Sequence, residues 1–373
     1  MIGSARRAVL LSITLFAACG PSSHHNNGDD DNTADAQQPS CTPGVTQSCY
    51  SGAPGTAGVG PCTGGTQTCE SGGYWGPCVG EVVPKGEVCA NGVDENCNGM
   101  VDENNDADGD GFTTCAGDCC DTTNDGCGDP KLVNPGAFEA PGNMVDDDCD
   151  GMTDNVVAAT CDSSLPSNSG NAMDYAKAIE LCQTASMTDT KWGVISARFA
   201  LPNGSGAPAP DQKSIRTVFG GTTVRAGSSF AVLSTGNAAA TGQQNPAYVA
   251  FQGGKTVGAT SAAPADWLAA NGNKIPNAPG CPAPSGTDTK DPIMLELKIR
   301  TPTNAKSFKL STNFLSAEFP EYVCSPYNDF FVVLLDSTWT GQPANPADKN
   351  LAIYKSPNMQ TYPVGVNLAF GNT

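Results

Sequence analysis

Histidine is almost absent from the 373-residue chain: His24 and His25 are the only two, adjacent in a polar tract. No Ser-His-Asp triad, Cys-His dyad or multi-histidine metal centre can be assembled from them in a folded module. Basic residues are scarce, 19 against 38 acids, for a net charge of −19. That excludes a nucleic-acid partner, which needs Lys and Arg to neutralise phosphates. Aromatics make up 7% of the chain, enough for one modest core. No apolar run approaches the roughly 20 residues that a membrane-spanning helix needs.

Cysteine, glycine and carboxylate are abundant, with 17 Cys, 43 Gly and 38 acids. The charge is uneven: residues 1–154 carry 24 acids and 4 bases, residues 155–373 carry 14 acids and 15 bases. Such asymmetry marks two physically different modules.

Met1 to Cys19 reads as a secretory signal, with Arg6 and Arg7 ahead of a short apolar stretch from Ala8 to Phe16. Its end, Leu15-Phe16-Ala17-Ala18-Cys19, resembles the bacterial lipobox, with Phe16 where Leu is usual. The resemblance implies a lipid on Cys19, membrane attachment through it, and a place in the cell envelope, at the outer membrane or cell surface. The alternative is an ordinary signal peptide cleaved nearby, with Cys19 incidental. Residues 20–40 lack apolar periodicity and read as a disordered linker. His24 and His25 lie in it, where two imidazoles could bind Cu²⁺ or Ni²⁺ weakly.

Without Cys19, 16 cysteines remain: twelve from Cys41 to Cys149, then Cys161, Cys182, Cys281 and Cys324. Even counts in an exported chain predict disulfides, with zinc thiolates the minor alternative. In residues 41–80, Gly44-Val45-Thr46-Gln47-Ser48-Cys49 repeats as Gly64-Gly65-Thr66-Gln67-Thr68-Cys69 at an offset of 20. Alternation flanked by glycine predicts short strands and tight turns in a rigid spacer, with Trp75 over a disulfide.

Residues 81–156 carry the chemistry. Glu87 to Asp154 holds 18 acids and one base, Lys131. A second repeat, at an offset of 52, aligns Asp94, Asn96, Asn98, Gly99 and Asp102 with Asp146, Asp148, Asp150, Gly151 and Asp154. Side-chain oxygens at positions 1, 3 and 5, glycine at 6 and a carboxylate at 9 form a calcium-loop pattern. Between the repeats, Asp106, Asp108 and Asp110 begin a third such loop, which Asp118 and Asp121 could complete. Hard oxygen donors predict Ca²⁺ as the cofactor. No loop has the EF-hand Glu at position 12, where Asn105, Gly117 and Val157 stand. Cys97 and Cys149 lie inside two loops, with Cys89 nearby, and predict clamping by disulfides. The Asp146 loop, richer in carboxylate than the Asp94 loop, is expected to bind tighter. A solvated acidic linker is the bland alternative, and it does not account for three repeats of one spacing.

Residues 81–154, with "DADGDGF", "GDCCD" and "VNPGAFEAPGNMVDDDCDGMTD", resemble the MopE-type metal-binding motif, are similar in logic to thrombospondin type 3 repeats, and are of the kind found in secreted myxobacterial lipoproteins. The family has Cys where Pro141 stands, and this chain adds Cys120 and Cys127. The family name suggests copper, but no His, Met cluster or free thiolate accompanies these carboxylates.

Beyond Asn155, "AMDYAKAIELC" from Ala172 to Cys182 predicts one short helix, with Cys161 and Cys182 pairing around it. Strands are predicted over Trp192–Ala200, Ser228–Ser234, Ile293–Ile299, Ser307–Leu315, Asp329–Leu335 and Leu351–Tyr354, with a long irregular loop from Asn237 to Pro292. The fold class expected is mostly β: disulfide-rich repeats and calcium loops, then an all-β sandwich with one short helix. "KWGVISARFALPNG" and "TNFLSAEFPEYVCSPYNDFFVVLLDS" resemble the choice-of-anchor L domain of bacterial exported proteins, over roughly residues 157–373. That resemblance implies an all-β sandwich whose surface anchor would here be the lipid. It leaves Cys281 and Cys324 as a pair, and since such domains usually continue further, it implies a sandwich shortened at Thr373. Glu318, Glu321, Asn328 and Asp329 cluster within twelve residues, as a cation or sugar site or as ordinary turn solvation.

The chain is thus expected to be a calcium-binding surface lipoprotein, not an enzyme, whose stiffened acidic stalk presents the sandwich to matrix, glycan or a surface protein. The alternatives are a copper-binding surface protein and a secreted hydrolase using Glu318 or Asp329.

Overall fold

The computed structural model describes residues 9–13, 41–102, 106–155, 161–253, 255–278, 280–284, 286–355, 359 and 361–369. The expected lipidation at Cys19, the 20–40 linker, and His24 and His25 lie outside them.

The chain is mostly β. Its strands are β1 (Val9–Ile13), β2 (Thr46–Cys49), β3 (Gly65–Thr68), β4 (Gly193–Ala200), β5 (Lys213–Arg216), β6 (Val218–Phe219), β7 (Thr222–Thr223) and β8 (Phe230–Leu233). Then come β9 (Thr260–Ala262), β10 (Asp288–Lys290), β11 (Met294–Arg300), β12 (Leu310–Asn313), β13 (Phe330–Phe331), β14 (Ile353–Lys355) and β15 (Thr361–Gly365). Helices α1 (Ala172–Lys177), α2 (Ala265–Ala270) and α3 (Val366–Ala369) are short.

The offset-20 repeat pairs with itself. β2 and β3 form an antiparallel ribbon that sets Thr46 against Thr68 and Gln47 against Gln67. Trp75 forms a β-bridge with Cys69, one half of the Cys41–Cys69 disulfide. Short polar strands such as these bury too little apolar surface to hold alone, and disulfides replace a core.

Cysteine parity translates into eight disulfides: Cys41–Cys69, Cys49–Cys78, Cys62–Cys97, Cys89–Cys115, Cys119–Cys149, Cys120–Cys127, Cys161–Cys182 and Cys281–Cys324. Such a density belongs to an oxidising compartment outside the cytoplasm. Among the described residues no helix is long and apolar enough to cross a membrane. Cys62–Cys97 straddles the expected boundary at residue 80, so the spacer and the first acidic loop are one covalent unit.

In the C-terminal module two β layers share a core. Tyr175, Ala176 and Ile179 from the α1 region pack with Val194 of β4, Ile215 of β5 and Ala231 of β8. Phe199 of β4 and Leu295 and Leu297 of β11 close over them. Tyr175 and Phe199 meet edge to face at 4.8 Å. Asn171 caps α1 by accepting from the Met173 amide. β4 and β11 pair antiparallel with Arg198 opposite Glu296, and the two side chains form a 2.6 Å ion pair.

The order β12-β1-β8-β5 makes a four-stranded sheet. Its second strand, Val9–Ile13, comes from the apolar run expected to serve in export. It pairs with β8 on one side and β12 on the other.

Two expectations need correction. One helix was expected and three are present among the described residues: α2, six residues long, lies in the Pro-, Gly- and Asn-rich stretch read as loop, and α3 is a single four-residue turn too short to show a 3.6-residue period. The stretch from Asn237 to Pro292 is not a featureless loop. It holds β9, α2 and β10, and Ala263, Trp267, Leu268 and Ile275 form a second core against Phe330, Val332 and Leu334.

Candidate metal centres

The two offset-52 repeats fold alike. Cys97 and Cys149 both adopt positive φ (59° and 56°), as do Gly99 and Gly151 (92° and 90°) and Asp102 and Asp154 (52° and 57°). Asp94 accepts from the amides of Asn98 and Gly99, and Asp146 accepts from those of Asp150 and Gly151. The first carboxylate thus closes each loop on itself, an Asx-type turn that needs no ion to define it.

The second repeat assembles an acidic cluster of Glu139, Asp146 and Asp148, with ligand oxygens within 4.8 Å of one another. Glu139 is 3% exposed; one oxygen accepts from the Asp148 amide at 2.9 Å, and the other, Oε2, has no partner. Asp148 Oδ1 is likewise buried without a partner. In the first repeat Glu87 takes the same place, accepting from the Asn96 amide at 2.8 Å. Glu87 and Glu139 were not among the expected ligands, although the offset-52 alignment pairs them.

Other expected ligands turn elsewhere. Asp102 accepts from the Asn91 and Gly92 amides, and Asp154 from those of Gly142 and Asn143. Position 9 of these loops therefore staples the preceding turn and does not join the cluster. Asp150 accepts from the Met152 amide and the Asn155 side chain, and Asn98 accepts from the Met100 amide.

The middle loop gathers all five of its expected residues. Asp106, Asp108 and Asp121 form one group, and Asp108, Asp110 and Asp118 a second, so Asp108 is shared. Backbone amides take one oxygen of several: Asp110 N donates to Asp108, Phe112 N to Asp110, and Cys120 N to Asp118. Asp108 Oδ2 and Asp118 Oδ2 are left buried with no partner. The disulfides Cys89–Cys115 and Cys119–Cys149 hold this loop to both repeats.

The cluster also reaches the β module. Asn134, fully buried, donates from Nδ2 to Asp110 Oδ2 at 2.6 Å and accepts at Oδ1 from Thr303 Oγ1 at 2.7 Å and Gly136 N at 3.0 Å. Thr303 N donates to Gly136 O, and the Asn304 side chain bonds both N–H and C=O of Phe138. Phe138 packs on Trp192 with centroids 5.5 Å apart. A Cβ at Gly136 would lie 2.9 Å from the Thr303 methyl and 3.0 Å from the Phe112 ring, so a larger residue would have to push these side chains aside.

Desolvation dominates the electrostatics. Burial, with repulsion from Asp110, Asp121 and Asp108, pushes the Asp118 carboxyl up from 3.8 to about 7 against a lowering hydrogen bond from Cys120. Burial likewise raises Asp108, Asp110, Asp121, Glu139 and Asp148. The folded value of Asp118 lies above its unfolded one, so the metal-free fold holds an extra proton at mildly acid pH. The corresponding stability is present below pH 4 and lost as pH rises through about 7. An incoming cation must displace that proton. Apparent Ca²⁺ affinity is therefore expected to fall about tenfold per pH unit below 7, with proton release on binding at pH 6 that vanishes by pH 8. Calorimetry in buffers of differing ionisation enthalpy checks this.

Two segments match a metal-binding family model. Residues 85–103 and 129–155 match the model titled Putative metal-binding motif, Cu-binding MopE. No curated protein and no solved structure is matched. The MopE-type motif covers both offset-52 repeats and omits the middle loop, where the unpartnered Asp108 and Asp118 oxygens lie. Glu318, Glu321 and Asp329 belong to no acidic grouping among the described residues. Asn328 instead accepts from the Asn367 amide.

Proposed function

We propose that this is an exported calcium-binding surface protein, held at the membrane by a lipid on Cys19 once residues 1–18, and β1 with them, have been cleaved off, in which Ca²⁺ stiffens the acidic segment as a mount for the β module. The carrying observation is the set of buried, unpartnered carboxylate oxygens at Asp108, Asp118, Glu139 and Asp148, none of which makes an ion pair among the described residues. Buried charge without compensation is costly, and a hard divalent cation supplies it. Every donor around these groups is oxygen, and the cysteines of the region are tied up as disulfides, which favours calcium over copper. The module then acts by presenting a surface to matrix, glycan or a neighbouring protein, with no catalytic step. The sequence likeness of residues 157–373 to surface-anchored exported domains supports that role.

The test is calorimetric titration of the oxidised, chelator-stripped chain with Ca²⁺ and separately with Cu²⁺. The fragment 81–156 would break Cys62–Cys97, so the intact chain is needed. Saturable uptake of at least three Ca²⁺ with ordering seen by circular dichroism is expected. Cu²⁺ binding that survives excess Ca²⁺ would instead favour the copper reading that the family title carries. No binding of either at millimolar concentration would leave the repeats as a solvated spacer.

A further inference from the structure

A second pair of carboxylates lies in the β module, remote in sequence from the repeats. Asp162 follows Cys161, and Glu180 precedes Cys182, so the Cys161–Cys182 disulfide brings them to one place. Asp162 is 1% exposed. Its Oδ2 accepts from the amides of Ser228 at 2.6 Å and Ser229 at 2.5 Å and from Ser229 Oγ at 3.1 Å. Its Oδ1 is buried and has no partner, and Glu180 Oε1 is in the same condition.

Gly227 shows how close the two groups are. A Cβ there would lie 1.8 Å from Glu180 Oε1 and 2.8 Å from Asp162 Oδ2, so those oxygens are within about 5 Å of each other. Gly227 sits at φ +66°, and any side chain would occupy the space between the carboxyl groups. Glu180 itself is turned into this position by a left-handed backbone, φ 69°. Like charges at this separation repel strongly when shielded from water. No base answers them: neither forms an ion pair among the described residues. Arg216, which shares a cavity of about 260 Å³ with Asp162, is committed to Ser214 Oγ and to the carbonyls of Ala238, Gln244 and Pro246. Burial and the Asp162 charge both push the Glu180 carboxyl up.

We propose that Asp162 and Glu180 form a divalent-cation site, taking Ca²⁺, which pins the end of α1 to the turn entering β8. The unpartnered Oδ1 of Asp162 and Oε1 of Glu180 are hard anionic donors of the kind calcium takes, and a cavity of about 260 Å³ lies beside Asp162. This site stands whether or not the acidic repeats bind calcium.

The test compares the full oxidised chain with Glu180→Gln, which keeps the shape and removes one charge. Equilibrium dialysis with radioactive Ca²⁺ is expected to show one ion fewer per chain in the variant. Hydrogen exchange is expected to show Ca²⁺-dependent protection at Ser228 and Ser229 in the wild type, lost in the variant, while protection at residues 106–121 is unchanged. Unaltered stoichiometry in Glu180→Gln overturns the proposal. So does a wild-type chain whose Ser228 and Ser229 amides ignore Ca²⁺ while Glu180→Gln raises the melting temperature in chelator, because the pair then shares a proton. If Glu180→Gln fails to fold, a Ca²⁺-soaked wild-type crystal decides. Anomalous density about 2.3–2.6 Å from both free oxygens supports the site, and its absence overturns it.

Discussion

Replacing Asp108 with asparagine is expected to remove two ions at once. Asp108 is the one residue common to both middle-loop groups, Asp106-Asp108-Asp121 and Asp108-Asp110-Asp118. Its Oδ1 is occupied by the Asp110 amide, and its Oδ2 is the buried oxygen with nothing to bind. An amide there keeps the turn but removes a shared negative ligand from both groups. Ca²⁺ stoichiometry should fall by two while uptake at Glu139, Asp146 and Asp148 persists. An ion at 100 times its Kd adds about 2.7 kcal/mol, so about 5 kcal/mol of calcium-dependent stability should go. In chelator the variant should be as stable as the wild type or slightly more so, because a like charge has been removed. Calorimetry paired with thermal unfolding, with and without Ca²⁺, reads both. Loss of a single ion would mean that Asp108 is not shared.

Asn134→Ala should be the most damaging change outside the carboxylates. The side chain is fully buried and connects Asp110, Gly136 and Thr303. Truncation leaves a buried carboxylate, amide and hydroxyl short of a partner, at about 3 kcal/mol in total. Thr303→Val should cost less, and the double variant should be sub-additive because both act on one network. Urea unfolding of the single and double variants gives the coupling. A second readout separates stability from communication. Hydrogen exchange at residues 301–309 should respond to Ca²⁺ in the wild type and lose that response in Asn134→Ala. Additive energies would show that the acidic segment and the β module are merely adjacent.

The acidic loops were legible because Asp94, Cys97, Gly99 and Asp102 recur unchanged as Asp146, Cys149, Gly151 and Asp154. Cys97 and Cys149, and Gly99 and Gly151, sit at matching positive φ, as an offset of 52 implies. The identity of the ligands was less legible. Spacing points at Asp102 and Asp154, but an amide pair ten to twelve residues upstream captures them first, and backbone satisfaction is not visible in a 1-3-5 pattern. Glu87 and Glu139 lie seven residues before the loop and enter through the fold. β5 was missed for a related reason. Lys213-Ser214-Ile215-Arg216 looks like surface, yet all four residues are buried. Lys213 lies 4.9 Å over the Phe199 ring, and Arg216 satisfies carbonyls of the following loops. Tertiary partners, not local pattern, put these polar side chains inside.

The order of the disulfides has a mechanical consequence. Cys41–Cys69, Cys62–Cys97 and Cys89–Cys115 overlap, and Cys119–Cys149 begins four residues after the last of them. Tension applied between residues 41 and 149 therefore travels mainly through sulfur. The shortest covalent route uses four bridges, of Cα separation 5.9, 6.2, 5.4 and 5.5 Å, and about 19 residues of backbone. Even with every hydrogen bond broken it could lengthen to only about 90 Å, against about 380 Å for the same stretch reduced. Pulled from both ends, such a segment would behave as an inextensible tether that transmits a pull where an uncrosslinked linker would absorb it.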